Sequence, residues 1–209
     1  GHSMGEVTAA VVSGALSVRE GLRVIATRSQ LMSRLAGQGA VAMVTLDADS
    51  TAALIARFDG VSIAGHLGPE QTVIAGPPAA VDGALAAATA AGRFARRVNM
   101  EVASHTALMD PILDELRVAL ADLVPQTPSI RFYSTVDGTT SAPRLDADYW
   151  VANVRRPVRL HQAVSAAAAD GHTLFVEVSP HPVLVHAIGD TLGDHHHHAV
   201  GTLARDTDD

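Results

Sequence analysis

Apolar and polar positions along this chain switch repeatedly between a helical period and a strand period. The first helix is predicted over Met4–Val12, with small residues at Gly5, Ala9 and Ala10 and a stop at Ser13-Gly14. Ser17 and Glu20 form a Ser-x-x-Glu capping box that opens a second helix, which runs to about Ala36 and is stopped by Gly37. On it Val24, Leu31 and Leu35 make one apolar stripe, while Arg19, Arg23, Thr27, Gln30 and Arg34 make the polar face. Arg28 falls inside the apolar stripe. A guanidinium there costs free energy unless acceptors or an anion meet it. Two readings follow: a snorkelling or ion-paired side chain, or a receptor whose planar fork grips a carboxylate.

From Ala40 the period changes. Strands are predicted over Ala40–Leu46, Val61–Ala64, Thr72–Ala75 and Phe94–Val98, with helices over Ser50–Arg57 and Val81–Ala91. That order, β-α-β-β-α-β, is the split arrangement of ferredoxin-like lobes, and it assigns residues 39–99 to a small inserted subdomain. Residues 1–38 and 100–209 then form the larger unit. In it Val102-Ala103-Ser104-His105 leads into a helix with Leu108, Ile112, Leu116 and Leu120 facing inward. A strand is predicted over Ile130–Val136, closed by Asp137-Gly138. Tyr149-Trp150 leads to Asn153 and Arg155-Arg156-Pro157, followed by a helix to about Ala169 that ends at Gly171. A strand over Thr173–Val178, a rigid Ser179-Pro180-His181-Pro182 loop, a helix over Val183–Leu192 and a strand over Ala199–Leu203 complete the pattern. Alternating strands and helices predict an α/β core with largely parallel pairing.

Composition narrows the function classes. The 209 residues can bury a substantial core. A formal net charge of -7 gives no basic field for nucleic acid or anionic lipid. With no cysteine there is neither a disulfide framework nor a thiolate metal site, which fits a reducing cytoplasm. No apolar run reaches the roughly 18 residues of a membrane span, and no signal peptide is visible. All 15 basic residues other than histidine are arginine, a codon bias rather than a functional sign. His195 to His198 read as an exposed loop with only adventitious metal affinity, so no metal site is assigned.

The chemistry is concentrated at the start of the chain. Gly1-His2-Ser3-Met4-Gly5 has the G-x-S-x-G form of a nucleophile elbow, which lifts a serine hydroxyl clear of a sheet on a strand-to-helix bend. The glycines are expected because the bend leaves little room for a Cβ. An elbow also needs a strand before it, so the expectation is that the chain is the later part of a larger domain whose front part is missing. Serine is a poor nucleophile until a base takes its proton, and a neutral histidine does so near pH 7. His105 precedes a helix, whose positive end is expected to keep the imidazole neutral.

Together these residues resemble the acyltransferase domains (malonyl-CoA:acyl-carrier-protein transacylases) of fatty acid and modular polyketide synthases. The resemblance rests on Gly1-His2-Ser3-Met4-Gly5-Glu6, Arg28, the ferredoxin-like insert, Val102 to His105, Trp150 to Pro157 and Glu177 to Leu184, and it covers the chain to about Arg205. The arginine bias and motif style resemble an actinobacterial polyketide synthase of the phthiocerol type. The resemblance implies an α/β-hydrolase-like core with a mostly parallel sheet plus the inserted subdomain. It implies that Ser3 is the nucleophile and His105 its base, held by the backbone carbonyl of Asn153. It also implies that Arg28 receives the free carboxylate of the extender unit. The Met4 N–H would supply half of the oxyanion hole, the other half coming from a glutamine in a segment before the elbow. His2, Met4, Val102, Ala103 and Ser104 would line the substrate site. The substrates would be a coenzyme A thioester and the phosphopantetheine thiol of an acyl carrier protein, with no cofactor bound by the domain itself. A ketosynthase and other synthase domains would be neighbours. In the family a Tyr-Ala-Ser-His segment goes with methylmalonyl units and His-Ala-Phe-His with malonyl units. Ser104 in place of a bulky Phe therefore favours methylmalonyl, although Val102 and Met4 depart from the methylmalonyl pattern. A serine hydrolase or thioesterase, and a non-catalytic docking scaffold, are the alternatives.

Overall fold

A computed structural model of the chain describes residues 1–138 and 143–205; residues 139–142 and 206–209, which the predicted larger unit includes, lie outside the described residues. Helices α1 (Met4–Val12) and α2 (Val18–Ser33) come first. The capping box is formed as the sequence predicts: Ser17 Oγ accepts the Glu20 N–H and the Glu20 carboxylate accepts the Ser17 N–H. The N-cap N–H and one of α2's first N–H groups are thereby satisfied locally.

The insert follows as β1 (Ala40–Val44), α3 (Ala48–Ile55), β2 (Ser62–Gly68), β3 (Gln71–Gly76), α4 (Pro78–Ala90) and β4 (Ala95–Val98). Its strands lie in the order β4-β1-β3-β2 and all pair antiparallel. This is the order a split βαββαβ unit requires, because β3 returns between β1 and β2. Period-2 alternation explains the packing of β1. Ala40, Ala42 and Val44 join Ile55, Val81, Ala84 and Ala88 beneath α3 and α4. Val41 faces the other way and packs with Ala64, Ala75 and Ala103. The second contact couples the insert to the segment that carries His105. Gly39 permits it, since a Cβ there would lie 2.3 Å from the Ala103 nitrogen.

A short 3-10 turn (Ala107–Met109), α5 (Asp110–Ala119), α6 (Ala147–Arg155), β5 (Val158–Arg159), α7 (Leu160–Ala169), β6 (Leu174–Glu177), α8 (Val185–Leu192) and β7 (His198–Gly201) complete the chain. The main core lies among α1, α2, α5 and α6, where Val7, Ala10, Val24, Leu31, Leu116 and Trp150 are buried together. The chain is mixed α/β as expected, and parallel pairing among the described residues occurs at β2–β5 and β6–β7. The strand predicted over Ile130–Val136 is not formed. Near its end both backbone groups of Thr135 are taken elsewhere, the N–H by the Glu6 side chain and the carbonyl by the Arg159 N–H. Among the boundaries that differ, Val158-Arg159 leaves Pro157 as a strand on the edge of the insert, and the helix predicted from Val183 begins at Val185. At the start of α8 the Glu177 carboxylate accepts the N–H groups of Val183, Leu184 and Val185, donors that a helix leaves unpaired at its N-terminus.

Candidate active site

Ser3 is the residue immediately before α1, with φ 52° and ψ −116°. A non-glycine residue with such angles is strained, and strain of this kind persists only where the surroundings enforce it. The bend is tight at Gly1, where a Cβ would lie 3.2 Å from the Gly5 Cα. Gly5 differs from expectation: nothing lies within 4 Å of a Cβ placed on it, so crowding of its own side does not demand glycine. The Gly5 and Glu6 N–H groups bond to the His2 and Ser3 carbonyls. The Met4 N–H, first in the helix, belongs to the donors a helix leaves unmade at its start.

His105 comes from a segment 102 residues later and also has positive φ, at 67°. Its N–H is fastened to the Val154 carbonyl at 2.8 Å. One ring nitrogen, Nδ1, lies 3.0 Å from the Arg156 carbonyl and the other, Nε2, lies 2.9 Å from Ser3 Oγ. A carbonyl only accepts, so Nδ1 carries the proton and Nε2 is left to accept the serine O–H. The expected holder, the Asn153 carbonyl, is therefore corrected: Arg156 makes the close contact, and Asn153 contributes a weaker pull from its backbone. α6 ends at Arg155, which leaves the Arg156 carbonyl, just past the helix, free to turn toward the ring.

Arg28 completes the cluster from the inward stripe of α2. It is buried, and its Nη2 donates to Ser3 Oγ at 3.2 Å while Nη1 donates to Asn153 Oδ1 at 3.2 Å. The serine oxygen thus accepts from Arg28 and donates to His105, a wiring in which every proton has one acceptor. Burial lowers the Arg28 guanidinium to about 10, with the Glu6 carboxyl pulling the other way; it stays charged at neutral pH.

The imidazole of His105 is pushed down to about 4, first by burial, against the pull of the Arg156 carbonyl and with the help of the Arg28 charge. Burial, rather than the helix that follows, is the main reason the ring is neutral. A linkage consequence follows. In the unfolded chain this ring titrates near 6.5, so stability is complete above that pH and is lost as pH falls from there toward about 4. The full loss is about 3 kcal/mol from this residue. Thermal melting from pH 7 to pH 4 is expected to fall less steeply in His105→Gln than in the parent chain; parallel curves would reject the depressed imidazole.

The other predicted residues are distributed around this trio. His2 is largely buried, with Nδ1 lacking a hydrogen-bond partner, and burial lowers its imidazole to about 4. The Met4 side chain is 59% exposed. Ser104 is buried beside His105, and Val102 packs against the helical core. The Ala103 side chain is turned to Gly39 and the insert sheet. Asn153 joins the cluster by its side chain: its Nδ2 donates to Glu6 Oε2 at 2.6 Å and to the Ser3 carbonyl at 3.4 Å. Glu6, the last residue of the Gly1–Glu6 motif, is completely buried. The signal existed, since Glu6 shares the inward face of α1 with Val7 and Ala10. The His181 ring accepts the Arg205 N–H, and His195 to His197 lie between α8 and β7, which begins at His198.

A serine on a strained bend, a neutral imidazole within proton-transfer distance and a buried cation on the serine oxygen can together form and resolve an ester. The model of the family described as the acyl transferase domain matches residues 1–209. The chain belongs to that family. It is 58% identical over all 209 residues to phenolphthiocerol/phthiocerol polyketide synthase subunits C and D of Mycobacterium tuberculosis, and spans 11% of the length of each. Among solved structures, the acyltransferase domain of phenolphthiocerol/phthiocerol synthase A from Mycobacterium bovis is 48% identical with a TM-score of 0.94, covering 98% of this chain and 81% of that one. An acyl carrier protein S-malonyltransferase from Vibrio cholerae is 30% identical with a TM-score of 0.87, covering 98% of this chain and 69% of that one. This acyl transferase domain therefore shares nearly all of its fold with both of these structures. No helix among its described residues is long and apolar enough to cross a membrane.

Proposed function

We propose that this domain moves a carboxylated acyl unit, methylmalonyl in preference to malonyl, from coenzyme A to the phosphopantetheine thiol of an acyl carrier protein within a cytoplasmic polyketide synthase. A ketosynthase and the other synthase domains are its neighbours on this reading. The observation that carries it is the buried Arg28 guanidinium 3.2 Å from Ser3 Oγ. A general esterase has no use for a cation at that point, whereas an acyl group ending in a carboxylate does.

The reaction runs in two half-steps of the same kind. Nε2 of His105 takes the Ser3 proton as Oγ attacks the thioester carbonyl, and the Met4 N–H faces the developing oxyanion. The C–S bond breaks, the proton passes from His105 to the departing coenzyme A sulfur, and the acyl group remains as the Ser3 ester. The carrier-protein thiol then gives its proton to His105 as its sulfur attacks the ester. The C–O bond breaks and Ser3 Oγ recovers the proton. The acyl carboxylate displaces Ser3 Oγ from Arg28 during both halves. For the extender unit, support comes from Ser104, small and buried beside His105, in the position where the malonyl pattern of the family carries Phe. A methyl group separates these substrates by only about 1–3 kcal/mol in an apolar pocket.

The test is intact-mass kinetics of Ser3 acylation with methylmalonyl-, malonyl- and propionyl-CoA, followed by addition of carrier protein. The parent domain is expected to acylate fastest with methylmalonyl-CoA and to hand the unit to the carrier thiol. Arg28→Ala is expected to lose preference for carboxylated donors by one to two decades, as removal of a charge-assisted bond of roughly 1.5–3 kcal/mol requires. Unchanged preference in that variant removes the receptor role, and release of free acid to water in place of transfer makes the domain a hydrolase.

A further inference from the structure

Glu6 is a buried acid that the transfer chemistry does not use, and it sits one hydrogen bond away from the group that holds Arg28. Its Oε1 accepts the Thr135 N–H at 2.5 Å and its Oε2 accepts Asn153 Nδ2 at 2.6 Å. The Tyr149 hydroxyl also bonds toward it. Burial pushes the Glu6 carboxyl up, and these three bonds oppose that shift. The backbone N–H of Thr135 and the Asn153 NH2 can only donate, so each Glu6 oxygen is held as an acceptor by one of them.

The consequence passes through the Asn153 amide, which has one donor end and one acceptor end. With its NH2 drawn to Glu6, its oxygen is turned to Arg28 Nη1 at 3.2 Å. The reversed amide would set an NH2 against a guanidinium and an oxygen against a carboxylate oxygen, two repulsive contacts in a buried site. We propose that Glu6 is a positioning residue that, by fixing the sense of the Asn153 amide, holds the Arg28 guanidinium beside Ser3 and so sets the domain's preference for carboxylated acyl donors. The inference rests on the receptor reading of Arg28 given above.

Glu6→Gln separates this role from packing because the shapes match. The Thr135 N–H is fixed backbone and retains the new amide oxygen, so the new NH2 must face Asn153. Asn153 then has to turn over, and its own NH2 meets Arg28.

The experiment measures kcat/KM for Ser3 acylation by methylmalonyl-CoA and by propionyl-CoA, which differ by the carboxylate. The full chain is used as parent, Arg28→Ala, Glu6→Gln and the double variant. Glu6→Gln is expected to lower the ratio about tenfold when Arg28 is present and to leave it unchanged in the Arg28→Ala background, since a residue acting through another has nothing left to act on. A purely structural role would lower both substrates alike, or change the ratio equally in both backgrounds; either result overturns the inference. If Glu6→Gln does not fold, Asn153→Ala in the same cycle is expected to lower the ratio only where Arg28 is present, and an equal effect in both backgrounds overturns it. An unchanged ratio in Arg28→Ala alone overturns the receptor reading and this inference with it. A fall there without one in Glu6→Gln overturns the inference alone.

Discussion

Ser3→Ala is expected to abolish the acyl adduct and to lower transfer by roughly 10⁴-fold or more, the scale seen when the nucleophile of a serine–histidine pair is removed. The expectation rests on connectivity as well as motif. Ser3 Oγ is the atom that both His105 and Arg28 reach, at 2.9 and 3.2 Å. Alanine leaves the base and the cation in place with nothing between them, so binding of acyl-CoA should survive while chemistry does not. Intact-mass spectrometry after incubation with methylmalonyl-CoA reads this directly. An adduct of the same mass on the variant would assign the nucleophile to another residue.

His105→Asn is expected to slow Ser3 acylation by about 10³-fold or more. Asparagine is chosen because it tolerates the left-handed backbone that His105 adopts, at φ 67°, better than alanine does. It has no basic nitrogen at neutral pH, and the other polar partner of Ser3 Oγ, Arg28, can only donate. The serine proton then has no protein base to take it. In the parent domain, a base lowered to about 4 predicts acylation that holds its rate on the acid side until pH approaches that value, then falls as the ring protonates. The variant should show no such limb and should instead depend on solvent base, rising with pH. Single-turnover acylation across pH 4–9 checks both curves; a variant within tenfold of the parent at pH 7 would dispose of the base assignment.

Several features were legible because they are local. The capping box at Ser17 and Glu20 declares itself in four residues, and the structure forms both of its bonds. The alternation in residues 40–44 and the Ala-rich helix that follows suffice for the split βαββαβ order, since hairpin and crossover lengths leave few other pairings. Arg28 stood out as a charge in an apolar stripe, and it is buried in the structure. Each of these depends on periodicity or on a cap, which neighbours in sequence decide.

What escaped depended on partners far along the chain. The segment 130–136 has the composition of a strand, yet at Thr135 its backbone N–H goes to Glu6 and its carbonyl to Arg159. The carbonyl that holds His105 belongs to Arg156 and not principally to Asn153, and a main-chain oxygen carries no side-chain label to read. Glu6 was visible as an acid on an inward face, but its partners Thr135 and Asn153 are 129 and 147 positions away. The chain's own pattern thus determined which faces turn inward and which residue types carry reactivity, because burial and capping follow from spacing over a few residues. Packing of α1, α2 and α6 decided which inward groups meet, because a hydrogen bond asks for placement within a few tenths of an ångström, and only the assembled elements supply that.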